Sequence, residues 1–339
     1  MLPNDPRALL DRLLDRGYTQ SVAPVVNAIA GDLDDGGLIR QRLKELEAEA
    51  ERLRQAGLPL TPDNPVLRAL RADLSDAMDG YAQDMNGVAG DVSANGAAAA
   101  GAFVYQTTLP GVDPSELAAI GLTWVTPNVD AVAALVNYVS LPAWQAELAG
   151  YGVGVDEVIN NIAIRGFIDG WGALRIVREI AHTVDVLPMA RMNSLIRTLQ
   201  LYSFRTAAAA HQLANADILE PYAIRVAVLD QRVCMACLIE HGSEIPLGSV
   251  VDDHRGGRCF SITQVRGRPR NIQSGTDWFE GLTPEQQRAQ MGNAAYEAWQ
   301  AGAITLQDLV ATGVDPIFGQ YIHEASLVSI LGGAAEEYY

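Results

Sequence analysis

Four side chains able to ligate a soft metal ion lie within 26 positions of this 339-residue chain. They occur in Cys234-Met-Ala-Cys237 and Asp253-His254-Arg-Gly-Gly-Arg-Cys259, a C-x2-C-x16-H-x4-C spacing that holds all three cysteines. A CxxC turn points two sulfurs the same way, and a returning hairpin can supply the other pair. Cys234, Cys237, His254 and Cys259 can therefore converge on one tetrahedral ion, and a small structural zinc knuckle is the first expectation. The bland alternative is three reduced thiols in a packed hairpin beside a surface histidine.

Two catalytic uses of the same residue types compete with that reading. A zinc deaminase needs an open fourth position for water and a glutamate two residues after its histidine. Here His254 follows the CxxC pair, the residue at that place is Gly256, and Cys259 would close the shell. His241-Gly-Ser-Glu244 misses the spacing as well. A cysteine nucleophile would need Cys234 or Cys237 beside His182, His211 or His323, and helical histidines among apolar residues are more often packed than catalytic. The expectation is therefore no enzyme. Asp252-Asp253 reads as a cap for the turn that leads to His254.

The elements that would position these ligands follow from periodicity. Tyr222-Ala-Ile-Arg-Val-Ala-Val-Leu-Asp230 alternates as a strand into the CxxC turn, and Phe260-Ser-Ile-Thr-Gln-Val265 reads as the strand leaving Cys259. The rest is helical in pattern. Ile39, Leu43, Leu46, Ala50 and Leu53 form a 4-3-4-3 seam over 37–56, suited to packing on a neighbouring helix of the same chain. Further helices are expected from about Pro65 to Met85 and over 114–121, 128–149, 155–182 and 188–215. The Gly/Ala-rich run 87–102 permits either close helix approach or a mobile connector. Gly150-Tyr-Gly152-Val-Gly154 has the wrong spacing for a phosphate loop and reads as a helix–helix turn. Thr283-Pro284-Glu-Gln286 is a capping box, Thr305-Leu-Gln-Asp308 a second helix start, and Gly332–Tyr339 a loosely held tail. Trp278-Phe279 and Tyr296/Trp299 should anchor the C-terminal helices.

The expected fold is mainly α (α+β), in four segments: an N-terminal helical region (1–110), a central helical domain (111–220), a β-rich CxxC/HxxxxC module (221–273) and a C-terminal helical segment (274–339). A module of about 50 residues with few large apolar side chains would draw folding free energy from its metal, so Cys237→Ser is expected to unfold 225–265 locally.

Composition narrows the partners. Hydrophobic residues make up 49% and charged residues 19% of the chain, as in an ordinary globular protein. The acidic, proline-broken start lacks a signal-peptide pattern, and no apolar run reaches membrane-span length. Synthesis in a cytoplasm, without membrane insertion, is the expectation. A net charge of −17 with a single lysine, Lys44, argues against a surface that coats nucleic acid. Charge is uneven, however. Between Ile224 and Arg270, seven arginines face five acids, a local +2 that leaves −19 for the remainder. Arg255, Arg258, Arg266, Arg268 and Arg270 are the candidate contacts to nucleic acid or an acidic partner; internally paired arginines are the alternative.

From about Trp124 onward the chain resembles the phage head morphogenesis proteins, also called Mu F-like minor head proteins. The specific part is Asp230-Gln-Arg-Val-Cys234-Met-Ala-Cys237 joined to Asp253-His254-Arg-Gly-Gly-Arg-Cys259. Trp124-Val-Thr-Pro-Asn, Asn160-Asn-Ile-Ala-Ile-Arg-Gly, Ile196-Arg-Thr, Ser274-Gly-Thr-Asp-Trp-Phe-Glu and Met291-Gly-Asn-Ala-Ala-Tyr-Glu-Ala-Trp accompany it. Two departures stand out: the family's Arg-Thr-Glu is Arg197-Thr198-Leu199 here, and its proline after the motif histidine is Arg255. The resemblance implies a structural minor head protein of a tailed-phage virion, at the portal vertex or capsid interior, needed for head assembly or DNA delivery. Implied partners are the portal protein, the major capsid or scaffolding protein, and phage DNA locally. The alternative is a nucleic-acid-binding zinc-module protein with a catalytic or regulatory role.

Overall fold

A computed structural model describes residues 5–33, 36–119, 121–268 and 272–339. Helix accounts for 64% of the chain and strand for 8%, which makes the class mainly α. The elements run Pro6–Leu33 (α1), Leu38–Gln55 (α2), Pro65–Thr108 (α3), Pro114–Ala119 (α4), Val129–Leu135 (α5), Pro142–Ala149 (α6), Tyr151–Ile168 (α7) and Ala173–Ala214 (α8). Tyr222–Val226 (β1), Met235–Ile239 (α9), Glu244–Pro246 (β2) and Phe260–Ile262 (β3) follow. Gly275–Glu280 (α10), Pro284–Met291 (α11), Asn293–Gln300 (α12), Val310–Asp315 (β4), Gly319–Glu324 (β5) and Leu327–Leu331 (α13) complete the chain.

Two compact units are built from non-consecutive segments: Met1–Gly17, Ser93–Tyr138 and Thr198–Tyr339 in one, Tyr18–Val92 and Val139–Arg197 in the other. A division into consecutive segments does not express this, because α1, α3 and α8 each contribute to both units. In the second unit the α2 seam behaves as its spacing predicts: Ile39, Leu43, Leu46, Ala50 and Leu53 are its buried positions. Arg71 bridges α3 to α7 through both oxygens of Asp156, at 2.7 and 2.8 Å, and through Asn160. Gly150 joins α6 to α7, while Gly152 and Gly154 lie inside α7.

The first unit holds the candidate site. β1 is the centre of an antiparallel sheet ordered β2-β1-β3, with Ile224 opposite Ile262 and Val226 opposite Phe260. The sheet packs on helices: Phe260 meets Phe103 of α3 edge-on at 5.3 Å, and Phe103 meets Phe204 of α8 at 5.1 Å. The Gly/Ala-rich run lies within α3 and serves close approach at two of its glycines: a Cβ at Gly96 would collide with the α8 backbone at Gln200 and one at Gly101 with the His211 ring, whereas Gly87 and Gly90 face open space. A second apolar cluster gathers α9 and the C-terminal elements around Cys237, Leu238, Cys259, Phe279, Tyr296 and Leu309. Phe279 and Tyr296 both meet Trp299 there, as expected of these anchors.

Several expected boundaries differ. Helices expected over 155–182 and 188–215 are replaced by α7 and a continuous α8 of 42 residues. The capping box at Thr283 and Gln286 is formed, but Thr305 and Asp308 open only a 3-10 turn over Gln307–Leu309. Next comes the β4–β5 hairpin, so the C-terminal segment is not wholly helical. Its signals were an alternating, β-branched Val310-Ala-Thr-Gly-Val and the Asp315-Pro turn. The end is not loose either: Ala335 is fully buried and Tyr338 packs on the second cluster.

Candidate metal centre

β1 delivers the chain to Cys234, which is the N-cap of α9; its sulfur accepts from the Cys237 amide at 3.4 Å. The CxxC pair thus opens a helical turn rather than forming the tip of a two-stranded hairpin. His254 and Cys259 come from a loop that returns from β2 toward β3. Cys234, Cys237 and His254 form one set of donors within 4.8 Å of each other, and Cys237, Asp253 and Cys259 form a second. Cys237 belongs to both.

The donor chemistry fits a borderline-soft divalent ion. Cys234 Sγ lies 3.3 Å from His254 Nε2, close to the ~3.5 Å edge of a tetrahedral shell with Zn–S and Zn–N bonds of normal length. His254 Nδ1 donates to the Arg255 carbonyl at 2.9 Å, so Nε2 is the nitrogen that can ligate a metal once its own proton is lost. A cavity of about 40 Å³ bounded by Cys234, Cys237, His254, Arg258 and Cys259 has room for one ion.

Electrostatics prepare the same atoms. A hydrogen bond from the Cys237 thiol, reinforced by His254, outweighs burial and holds the Cys234 thiol down at about 5. The Cys234 partner raises His254 to about 9. The Cys237 thiol donates to Asp253 Oδ1 at 3.2 Å; Cys234, then Cys259 and burial, push that thiol well up.

Beneath the ligands lies a buried charge network that sequence reasoning missed. Arg205 of α8 and Asp253 form an ion pair at 2.7 Å, with side chains 1% and 0% exposed. Asp253 also accepts from the amides of His254, at 3.0 Å, and Cys259, at 2.9 Å. Burial alone would raise its pKa; Arg205, with His254 and the Cys259 amide, more than offsets that and keeps the carboxyl ionised. Asp253 therefore does more than cap the turn expected of it. Glu324 of β5 accepts from the Met235 amide at 2.9 Å and braces the start of α9, with burial raising its own pKa. Arg205 had a faint signal, a lone arginine inside the apolar helical stretch Leu199–Ala210. Glu324 had none, because nothing local ties residue 324 to residue 235.

The five arginines separate. Arg255 binds Asp315 at 2.6 Å, and Arg258 grips both oxygens of Asp230 at 2.6 and 2.8 Å. Arg266 donates to the carbonyls of Leu219 and Ala216. Arg268 is exposed, and Arg270 lies outside the described residues. Internal pairing thus occupies Arg255 and Arg258. Among the described residues no helix is long and apolar enough to cross a membrane. No protein-family model, curated protein or solved structure matches the chain.

Proposed function

We propose that this chain is a structural minor head protein of a tailed phage, bound at the portal vertex or capsid interior and stapled by one zinc ion. The observation that carries the reading is the meeting of the two distinctive motif halves, CxxC and Asp-His-x-x-Gly-Arg-Cys, at one site. Cys234, Cys237 and His254 would hold the ion. Cys259, whose sulfur lies with Cys237 and Asp253 in the second donor set, would close a Cys3His shell as the fourth ligand, and a closed shell is structural rather than catalytic. Zinc would there cross-link the start of α9 to the 253–259 loop. Partners of this reading are the portal protein and the major capsid or scaffolding protein, with phage DNA touched locally.

The nucleic-acid alternative is the weaker one, because Arg255 and Arg258 are committed to Asp315 and Asp230. Native mass spectrometry with and without a strong chelator, followed by mixing with portal rings, separates the two. One zinc per chain and a portal complex are expected; metal-free protein that ignores the ring and binds DNA with a steep salt dependence would reverse the order.

A further inference from the structure

Both downstream ligands ride on a loop whose seat is a helix far upstream. Thr198, Tyr202 and Arg205, spaced four and three apart, share one face of α8. Thr198 Oγ1 accepts the Gly256 amide at 2.9 Å, and the Tyr202 hydroxyl donates to the Asp253 carbonyl. Arg205 Nε donates to the Cys259 carbonyl at 2.8 Å, while Nη2 reaches the Gly257 carbonyl at 2.9 Å and the Asp253 carboxylate. Asp253 returns these bonds to the amides of His254 and Cys259. The wrap is so tight that a Cβ on Gly257 would fall on the Asp253 carboxylate.

A fully buried ion pair is a poor way to gain stability, since desolvation cancels most of its attraction. Here its donors and acceptors go to the residues that carry or adjoin His254 and Cys259. Asp253 is also within ligand distance of Cys237 and Cys259, so an unrestrained carboxylate would compete for the ion. Arg205 and the Cys259 amide occupy Oδ2, and the His254 amide and the Cys237 thiol occupy Oδ1, so both carboxylate oxygens of Asp253 are already engaged as acceptors.

We propose that Arg205, acting through Asp253, is the positioning residue of the metal centre: it seats the 253–259 loop on α8 before any ion arrives and keeps Asp253 out of the coordination shell. This rests on the metal-binding reading above.

The test is cobalt(II) titration of the full chain, with zinc measured by competition, for wild type, Arg205→Leu and Arg205→Lys. Arg205→Leu is expected to bind about 10- to 100-fold more weakly, the usual cost of losing an outer partner of a ligand, and to show altered d–d bands at saturation. Arg205→Lys should recover part of the affinity, because an ammonium keeps the charge beside Asp253 but lacks the fixed fork. Equal affinity and identical bands in wild type and Arg205→Leu would overturn the proposal while leaving the metal site standing. A wild type that takes up no cobalt or zinc would instead remove the metal site itself. Should Arg205→Leu fail to fold, Thr198→Val decides: a several-fold loss of affinity supports loop seating, and no loss overturns it.

Discussion

Cys234 differs from the other two cysteines in being partly exposed, whereas Cys237 and Cys259 are buried. Its thiol is held at about 5 and its neighbour His254 at about 9. In metal-free protein, the ultraviolet absorbance of one thiolate should therefore be present at neutral pH and titrate with a midpoint near 5, and His254→Ala should move that midpoint upward. Metal uptake carries the opposite sign on the histidine. An imidazole protonated up to about 9 must lose its proton to become a ligand, so zinc affinity should rise with pH until about 9, by up to about tenfold per unit from this group. Calorimetry in buffers of different ionisation enthalpy would count the protons released; affinity flat between pH 6 and 9 would show that His254 is not a ligand.

At the scale of elements, the site is held by pieces that lend it side chains without being ligands. The β4–β5 turn is organised by Asp315, which accepts the amides of Ile317, at 2.8 Å, and Phe318, at 3.1 Å, along with Arg255 Nε. Asp315→Ala should destabilise the hairpin by about 1–3 kcal/mol, the cost of leaving part-buried donors unmet, and hydrogen exchange should quicken over 310–324. The N-cap of α11 offers a control at the opposite end of the helix from Gln290, which donates to the Val233 carbonyl beside Cys234. Its reciprocal Thr283–Gln286 cap makes Thr283→Ala a loss of about 1 kcal/mol, measurable by denaturant unfolding, with metal affinity unchanged.

At the scale of the molecule, the CxxC module is not a self-standing knuckle. Its strands share a core with α3 and α8 through Ile224, Phe260, Ile262, Phe103 and Phe204, and its cysteines sit in the cluster closed by the C-terminal elements. That sharing narrows the local unfolding expected of Cys237→Ser. The variant should lose its metal and quicken exchange over 234–259, yet retain slow exchange in β1 and β3 and its far-UV helical signal. Loss of protection throughout 225–265 would mean that the ion, and not the shared apolar core, holds the strands.

The sequence alone determined what depends on near neighbours: the α2 seam, the Thr283 cap, strands at β1 and β3, the C-terminal aromatic anchors and the confinement of the candidate metal donors to one short window. Each is written in a period or spacing of a few residues, which local backbone geometry converts directly into a face or a turn. Only the tertiary structure decided the rest. It set Cys237 between two donor groups, placed Arg205 under Asp253, brought Glu324 to the start of α9 and used up Arg255 and Arg258 in internal pairs. A buried charge is stable only beside a partner, and which partner it meets depends on how distant segments return to one another, a fact that no local spacing encodes.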